Sequence, residues 1–178
     1  MRHPILTALT LAAALCGSAA VEPRVSRATI AAMEKSFDHR IQSLDVTDPF
    51  DVLGSTRGVY LEGYGAVFTA EVNLVVGPAI SPFRPALTKE QIAKLRLKRL
   101  ARLPVLKRQM KDALGALAAS LDTVPPSEQI VLGVSLFYFS WEQRADLPGQ
   151  ILMQARRQAL LDVTSGRIRD AGIREQEF

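Results

Sequence analysis

Arg57-Gly58-Val59-Tyr60-Leu61-Glu62-Gly63-Tyr64-Gly65-Ala66-Val67-Phe68-Thr69-Ala70-Glu71-Val72-Asn73-Leu74-Val75-Val76 decides the fold. Two runs rich in aromatic and β-branched residues, 57–62 and 66–76, flank a Gly63-Tyr64-Gly65 turn, the pattern of a β-hairpin. Read by parity, Val59, Leu61, Ala66, Phe68, Ala70, Val72, Leu74 and Val76 share one face. Tyr60, Glu62, Val67, Thr69, Glu71, Asn73 and Val75 share the other. One face is wholly apolar and the other mixed, so the hairpin covers a core on one side only.

The other strong strand signal lies downstream. Ile130-Val131-Leu132-Gly133-Val134-Ser135-Leu136-Phe137-Tyr138-Phe139-Ser140-Trp141 is apolar at both parities. Over 129–142 this predicts a central strand covered on both faces. Between hairpin and strand, residues 88–121 predict one long helix. Thr88 with Gln91 three residues on fits a capping box. Leu106, Met110, Leu114, Leu117 and Leu121 fall on one helical face, and Ile92, Leu95 and Leu103 extend it backwards. Pro104 interrupts this helix and predicts a kink or short break there. A strand–helix–strand crossover of this kind joins parallel strands.

At the flanks, Ile30, Met33, Phe37, Ile41 and Leu44 predict an N-terminal helix over 21–45. Prolines 78, 82 and 85 mark a stiff connector after the hairpin. Leu152, Ala155, Ala159 and Val163 predict a helix over 148–164, and Ile173 to Phe178 a short edge strand. The expected order is α-β-β-α-β-α, with a closing β. The expected class is α/β of the mixed α+β kind: a small sheet with an antiparallel hairpin beside a parallel central strand, and helices packed against it.

Met1-Arg2-His3 is a short cationic start, followed by an apolar run to Leu15 and then Ser18 and Ala20, residues a signal peptidase accepts. Residues 1–20 are therefore expected to be a secretory signal peptide, and 21–178 a single exported domain, periplasmic or secreted. The apolar run is shorter than the roughly 20 residues of a membrane span, and no later segment is longer, so the processed chain is not expected to be transmembrane. Cys16 raises lipidation, but Leu15 stands where lipoprotein processing needs a small residue, which argues against it. Cys16 is the only cysteine, so a mature domain beginning at residue 21 has neither disulfide nor thiolate chemistry.

Catalytic signals are sparse. His39 is the one histidine after residue 20, and it falls off the apolar stripe of its helix, as a solvated side chain would. No nucleophile elbow, HExxH, Walker or GxGxxG sequence occurs. Carboxylates are the remaining candidates: Asp45, Asp48 and Asp51 in one loop, Glu62 and Glu71 on the hairpin. Asp48, Asp51, Glu62 and Glu71 would form a divalent-metal hydrolase site if they converged.

Charge is concentrated in one segment. Residues 89–111 hold Lys89, Lys94, Arg96, Lys98, Arg99, Arg102, Lys107, Arg108 and Lys111 against the single acid Glu90. Lys94, Lys98, Arg99, Arg102, Lys107, Arg108 and Lys111 are candidates for weak binding of anionic polymers or lipid headgroups. The segment lacks the aromatics that stack on bases, so sequence-specific nucleic-acid binding is not expected. Tyr64, between two turn glycines, is a candidate contact residue. With no complete catalytic set, no cofactor is expected, and the reading is a non-enzymatic cell-envelope binding or assembly module whose partner the sequence does not name.

Overall fold

The structure is a computed structural model that describes residues 24–44, 47–76 and 87–178. The expected signal peptide with Cys16, Asp45 and the proline-rich connector at 78–85 lie outside the described residues. The elements are α1 (Arg27–Gln42), β1 (Asp51–Val52), β2 (Arg57–Leu61), β3 (Gly65–Asn73), α2 (Lys89–Ser120), β4 (Gln129–Leu136), β5 (Gln150–Arg156), α3 (Arg157–Thr164) and β6 (Arg174–Glu177). They build one six-stranded mixed sheet in the order β1-β3-β4-β5-β6, with β2 also paired to β3. The mixed α/β class is as expected, including the parallel pairing of β3 with β4, in register from Gly65↔Gln129 to Val72↔Leu136.

Local chemistry sets the helix ends. The Ser26 hydroxyl caps α1 by accepting the Thr29 N–H at 3.0 Å, so the helix starts at Arg27 rather than at residue 21. Ile30, Phe37 and Ile41 form its buried stripe. Thr88 and Gln91 make the reciprocal capping box of α2. The helix α2 is not broken at Pro104, which lies on its exposed side, and runs on to Ser120. Its far end is closed from outside. The buried Arg157 donates to the carbonyl of Ala118 (2.9 Å), an acceptor that the helix terminus leaves over, and to that of Val124 (3.1 Å) in the loop beyond.

Three strand assignments differ from expectation. The helix expected over 148–164 is β5 followed by the eight-residue α3. Ile151, Met153 and Ala155 alternate inward, and the ladder to β4 runs from Gln129↔Arg156 to Ser135↔Gln150. Pairing β4 along this whole edge outweighs a modest helix preference. The central strand ends at Leu136 rather than residue 142, and Phe137 to Trp141 form an aromatic loop. The third difference is the face assignment across the hairpin. Leu61 pairs with Gly65, Val59 with Val67 and Gly58 with Phe68. Val59 and Leu61 therefore share a face with Val67, not with Phe68.

The core lies on one side of the sheet. Ala66, Phe68, Ala70 and Val72 of β3, Ile130, Leu132, Val134 and Leu136 of β4, and Ile151, Met153 and Ala155 of β5 all point there. Ile30 of α1 lies over Gly58 and Phe68, where a Cβ added to Gly58 would come within 2.7 Å of it. Lys107 and Lys111 of α2 pair with Glu175 and Glu177 of β6, which stand opposite Met153 and Ile151. Thr164 of α3 approaches Gly115 of α2. All three helices thus lie on this face. Gly65, with φ +138°, opens β3 so close to β4 that a Cβ would fall 1.9 Å from the Gln129 carbonyl oxygen. Only glycine lets the parallel seam begin at that register.

Candidate functional site

The carboxylates proposed as a metal site do not come together. Glu62 is exposed in the hairpin turn at the start of β3, while Glu71 and Asp51 stand near its far end. Six residues of strand separate Gly65 from Glu71, a rise of roughly 20 Å, far beyond the reach of one ion. Asp48 is engaged with Lys98 at 2.7 Å and with Arg102. Among the described residues no group of three His, Cys, Asp or Glu side chains is placed to hold a metal. His39 is exposed on α1.

Most of the basic segment is also committed within the chain. Arg99 is wholly buried; its Nε lies 2.5 Å from Glu142 Oε2, and it donates to Asn73 Oδ1 at 3.0 Å and to the Phe137 carbonyl. Arg102 is buried over the Phe50 ring, 4.0 Å from its centroid, and bonds both the carboxylate and the carbonyl of Asp48. Arg96 pairs with Asp146 at 2.5 Å. Lys107 lies between Glu175 and Glu177, and Lys111 is 3.0 Å from Glu175. Arg99 and Arg102 are thus corrected from anion ligands to ties that fasten α2 to the loops beyond β4 and before β1. Lys89, Lys94 and Arg108 are exposed on α2 and make no ion pair among the described residues.

The Asp48 cluster makes a pH prediction. The hydrogen bond from Lys98 holds its carboxyl below the usual carboxylate range; burial opposes this and the Arg102 charge adds to it. A carboxyl depressed in the folded state stabilises the fold above its unfolded pKa of about 3.9, and that contribution is lost as pH falls through the folded value. Asp48→Asn should lower stability by about 1 kcal/mol at neutral pH, as partly exposed pairs do. The gap in urea midpoint from wild type should close as pH is taken below about 4. A gap of constant size down to about pH 2 would count against the role given to this cluster.

Two grooves lie on the helical side. One, about 90 Å³, sits between α1 and α2 at Met33, Phe37, Ala113 and Leu117. The other, about 450 Å³, lies where Gly115 and Ala119 of α2 face Leu160 and Val163 of α3 and Ile173. The first is walled largely by small and apolar side chains, while the second is lined also by Lys111, Asp112, Arg169 and Asp170.

The opposite side of the sheet is the more informative surface. Its residues follow from the register. One row across it reads Val59, Val67, Val131, Gln154, Arg174, and the next reads Arg57, Thr69, Gly133, Leu152, Gln176. Beyond these, Leu61 stands beside Gly65, and Phe178, which exchanges backbone hydrogen bonds with Gln150, closes the far corner. Leu61, Val59, Val67, Val131, Leu152 and Phe178 form an apolar diagonal from the β2 corner to the β6 corner. Val59 is 49% exposed, Leu61 47% and Phe178 67%, although Val131 is buried between its neighbours. The sequence predicts cover on both faces of β4, but no described helix lies over this one.

Charged side chains flank that diagonal on both sides. Arg156 and Arg174 occupy one flank, Glu71 and Asp51 the other, with Arg57 between the acids and the stripe. Arg156, Arg174, Arg57 and Glu71 are all exposed. Tyr64, 45% exposed in the turn, extends the apolar surface at the β2 corner. Sequence reading missed this surface because it assigned Val59 and Leu61 to the core side. No family model, curated protein or solved structure matches the chain.

Proposed function

We propose that this chain is an exported, non-enzymatic binding or assembly module of the cell envelope, and that the open sheet face is its contact surface. The observation that carries the reading is the one-sided sheet. Large apolar side chains at Val59, Leu61 and Phe178 stay in water while three helices crowd the other face. An apolar patch rimmed by charge is the usual mark of a site that another macromolecule covers. The export part rests on residues 1–20, whose cationic, apolar and small-residue order suits a cleaved leader. No described helix is long and apolar enough to cross a membrane.

The test is site-specific photocrosslinking in cells that express the chain, with the reactive side chain at Leu61, Leu152 or, as control, Ala119 on α2. The expected result is discrete crosslinked species from positions 61 and 152, formed outside the cytoplasmic membrane, and none from 119. Crosslinks from 119 alone, or retention of the unprocessed chain in the cytoplasm, would overturn the reading. So would robust turnover in a hydrolase panel that is lost on Glu71→Ala.

A further inference from the structure

We infer that Glu128 is the binding site for the chain's own new amino terminus: once the leader is cut after Ala20, the α-ammonium of Val21 pairs with the buried Glu128 carboxylate. This rests on the export reading, because only cleavage creates that ammonium.

One carboxylate oxygen in the core lacks a donor. Glu128 stands just before β4 and is 7% exposed. Its main chain is fixed on both sides. The N–H donates to the Pro125 carbonyl at 3.1 Å, and the carbonyl accepts the Arg157 N–H at 2.8 Å. In the side chain, Oε1 accepts the Gly63 N–H at 3.2 Å and the Tyr60 hydroxyl at 3.4 Å. Oε2 is closed to solvent and accepts no hydrogen bond from the described residues. No lysine or arginine among those residues makes an ion pair with Glu128. A buried carboxylate left half satisfied is costly, and native folds supply the missing donor. A cation supplies the donor and answers the charge as well.

The course of the chain locates that donor. Glu128 lies at the Gly65 end of the sheet, where Gly65 pairs with both Leu61 and Gln129. The stretches 45–46 and 77–86 leave and rejoin the described chain around the opposite end of β3, where Asn73 pairs with Asp51 and bonds Arg99 of α2. The length of β3, about 26 Å, separates the two ends. Residues 1–23 join the described chain elsewhere. Along α1, Asp38 meets Thr56, while Glu34 and Arg27 meet Gly58. The Arg24 guanidinium faces the Tyr60 hydroxyl, and Val25 is buried, so the chain traced backwards runs along β2 toward Glu128. Three residues, Val21 to Pro23, reach about 10 Å when extended.

Cleavage changes the chemistry at that point. Hydrolysis of the Ala20–Val21 bond takes up one water and leaves a carboxylate on Ala20 and an ammonium on Val21. Before it, the Val21 nitrogen is a neutral amide that cannot answer the charge of Glu128. After it, an α-amino group with an ordinary pKa of about 7.7–8.0 carries a positive charge at neutral pH. Removal of the leader therefore stabilises the fold.

The experiment uses the chain as cells export and process it, with its first residue read by intact mass. One portion is unfolded, acylated once at the α-amino group near about pH 6.5, where that group reacts ahead of the lysines, and refolded. An untreated portion is unfolded and refolded beside it. Melting midpoints are compared for both forms of the wild type and of Glu128→Gln, which keeps an acceptor for the Gly63 N–H. In the free-amine form Glu128→Gln should lower the midpoint by about 6 °C or more, as loss of a buried charge pair does in a domain of this size. Acylation of the wild type should lower it by a similar amount. In the acylated form Glu128→Gln should hold or raise the midpoint, because it removes an uncompensated buried charge. A second measurement needs no variant. Val21 of the folded wild type should react with the acylating reagent about tenfold or more slowly than in the unfolded chain. Equal rates, acylation without effect on melting, or Glu128→Gln costing the same in both forms would each overturn the proposal. So would a loss reproduced by Arg24→Gln and not by acylation, since Arg24 is then the partner. The outcomes also separate the two readings. A chain processed at Val21 without this coupling, or cut at another bond, ends the pairing and leaves export standing. A chain that keeps residues 1–20 ends both.

Discussion

Val134→Asp should abolish folding. Val134 is fully buried in β4, paired to Ala70 of β3 on one side and Ile151 of β5 on the other. Its side chain points to the helical face, among Leu132, Leu136 and Met153. An aspartate there has no partner, and burying it costs several kcal/mol whether it ionises or takes up a proton. A domain of this size is stable by about 5–15 kcal/mol in all. The expected result is insoluble protein, or a soluble chain with no cooperative melting transition. Val134→Ala keeps the site apolar and removes only volume, so a loss of roughly 2 kcal/mol with a cooperative transition is the companion result. Wild-type melting by the aspartate variant would show that β4 is not the middle of the core.

The second large effect belongs to Glu142. Arg99 is wholly enclosed, and Glu142, with 3% of its side chain exposed, is its only carboxylate among the described residues. Glu142 also accepts the Phe139 N–H at 3.0 Å, which shapes the loop after β4. Glu142→Ala leaves a buried guanidinium without its counter-charge, and such half-removals cost about 3–5 kcal/mol. Urea unfolding at neutral pH should show the midpoint falling with little change of slope. The pair itself is worth much less than that. Taking both charges out of water consumes most of what their attraction returns, so Arg99→Met with Glu142→Leu should recover the greater part of the loss. A single variant within about 1 kcal/mol of wild type, or a double no better than the single, would show that Arg99 finds another partner.

How much of this was legible in the sequence depends on which periodicity stood alone. The hairpin and the parallel crossover were, because Ala66 to Val72 alternate cleanly and Thr88 with Gln91 mark a helix start. The strand at Gln150–Arg156 was not. Leu152 and Ala155 satisfy a helical spacing while Ile151, Met153 and Ala155 satisfy a strand's, and a stretch this short meets both patterns. What decides is the unpaired edge of β4, a fact about another part of the chain.

The candidate surface was hidden by a single count. Three residues, Glu62 to Tyr64, separate the paired ends Leu61 and Gly65, so parity carries straight across the turn. Any three-residue turn here keeps odd positions with odd ones, so joining Val59 and Leu61 to the even positions Ala66 and Phe68 breaks parity across the turn and sends them to the wrong side. Even with the register right, the sequence does not say on which side the helices land. The buried arginine did leave a signal. Arg99 stands four residues from both Leu95 and Leu103, squarely on the apolar stripe of α2, where a charge needs a partner. Counting it only as part of a basic run conceals that.

The parallel seam between β3 and β4 has a consequence for the order in which this chain assembles. The β2–β3 hairpin and the β4–β5 pair join residues close in sequence, and each can close early. The seam brings Gly65 to Gln129, with all of α2 between them. Its entropy must be paid before any of its hydrogen bonds form. A folding chain whose hairpin closes first therefore holds an open β3 edge, apolar on its inner side, until β4 docks along it from Gln129 to Leu136. Over that interval the uncovered edge is open to misassociation.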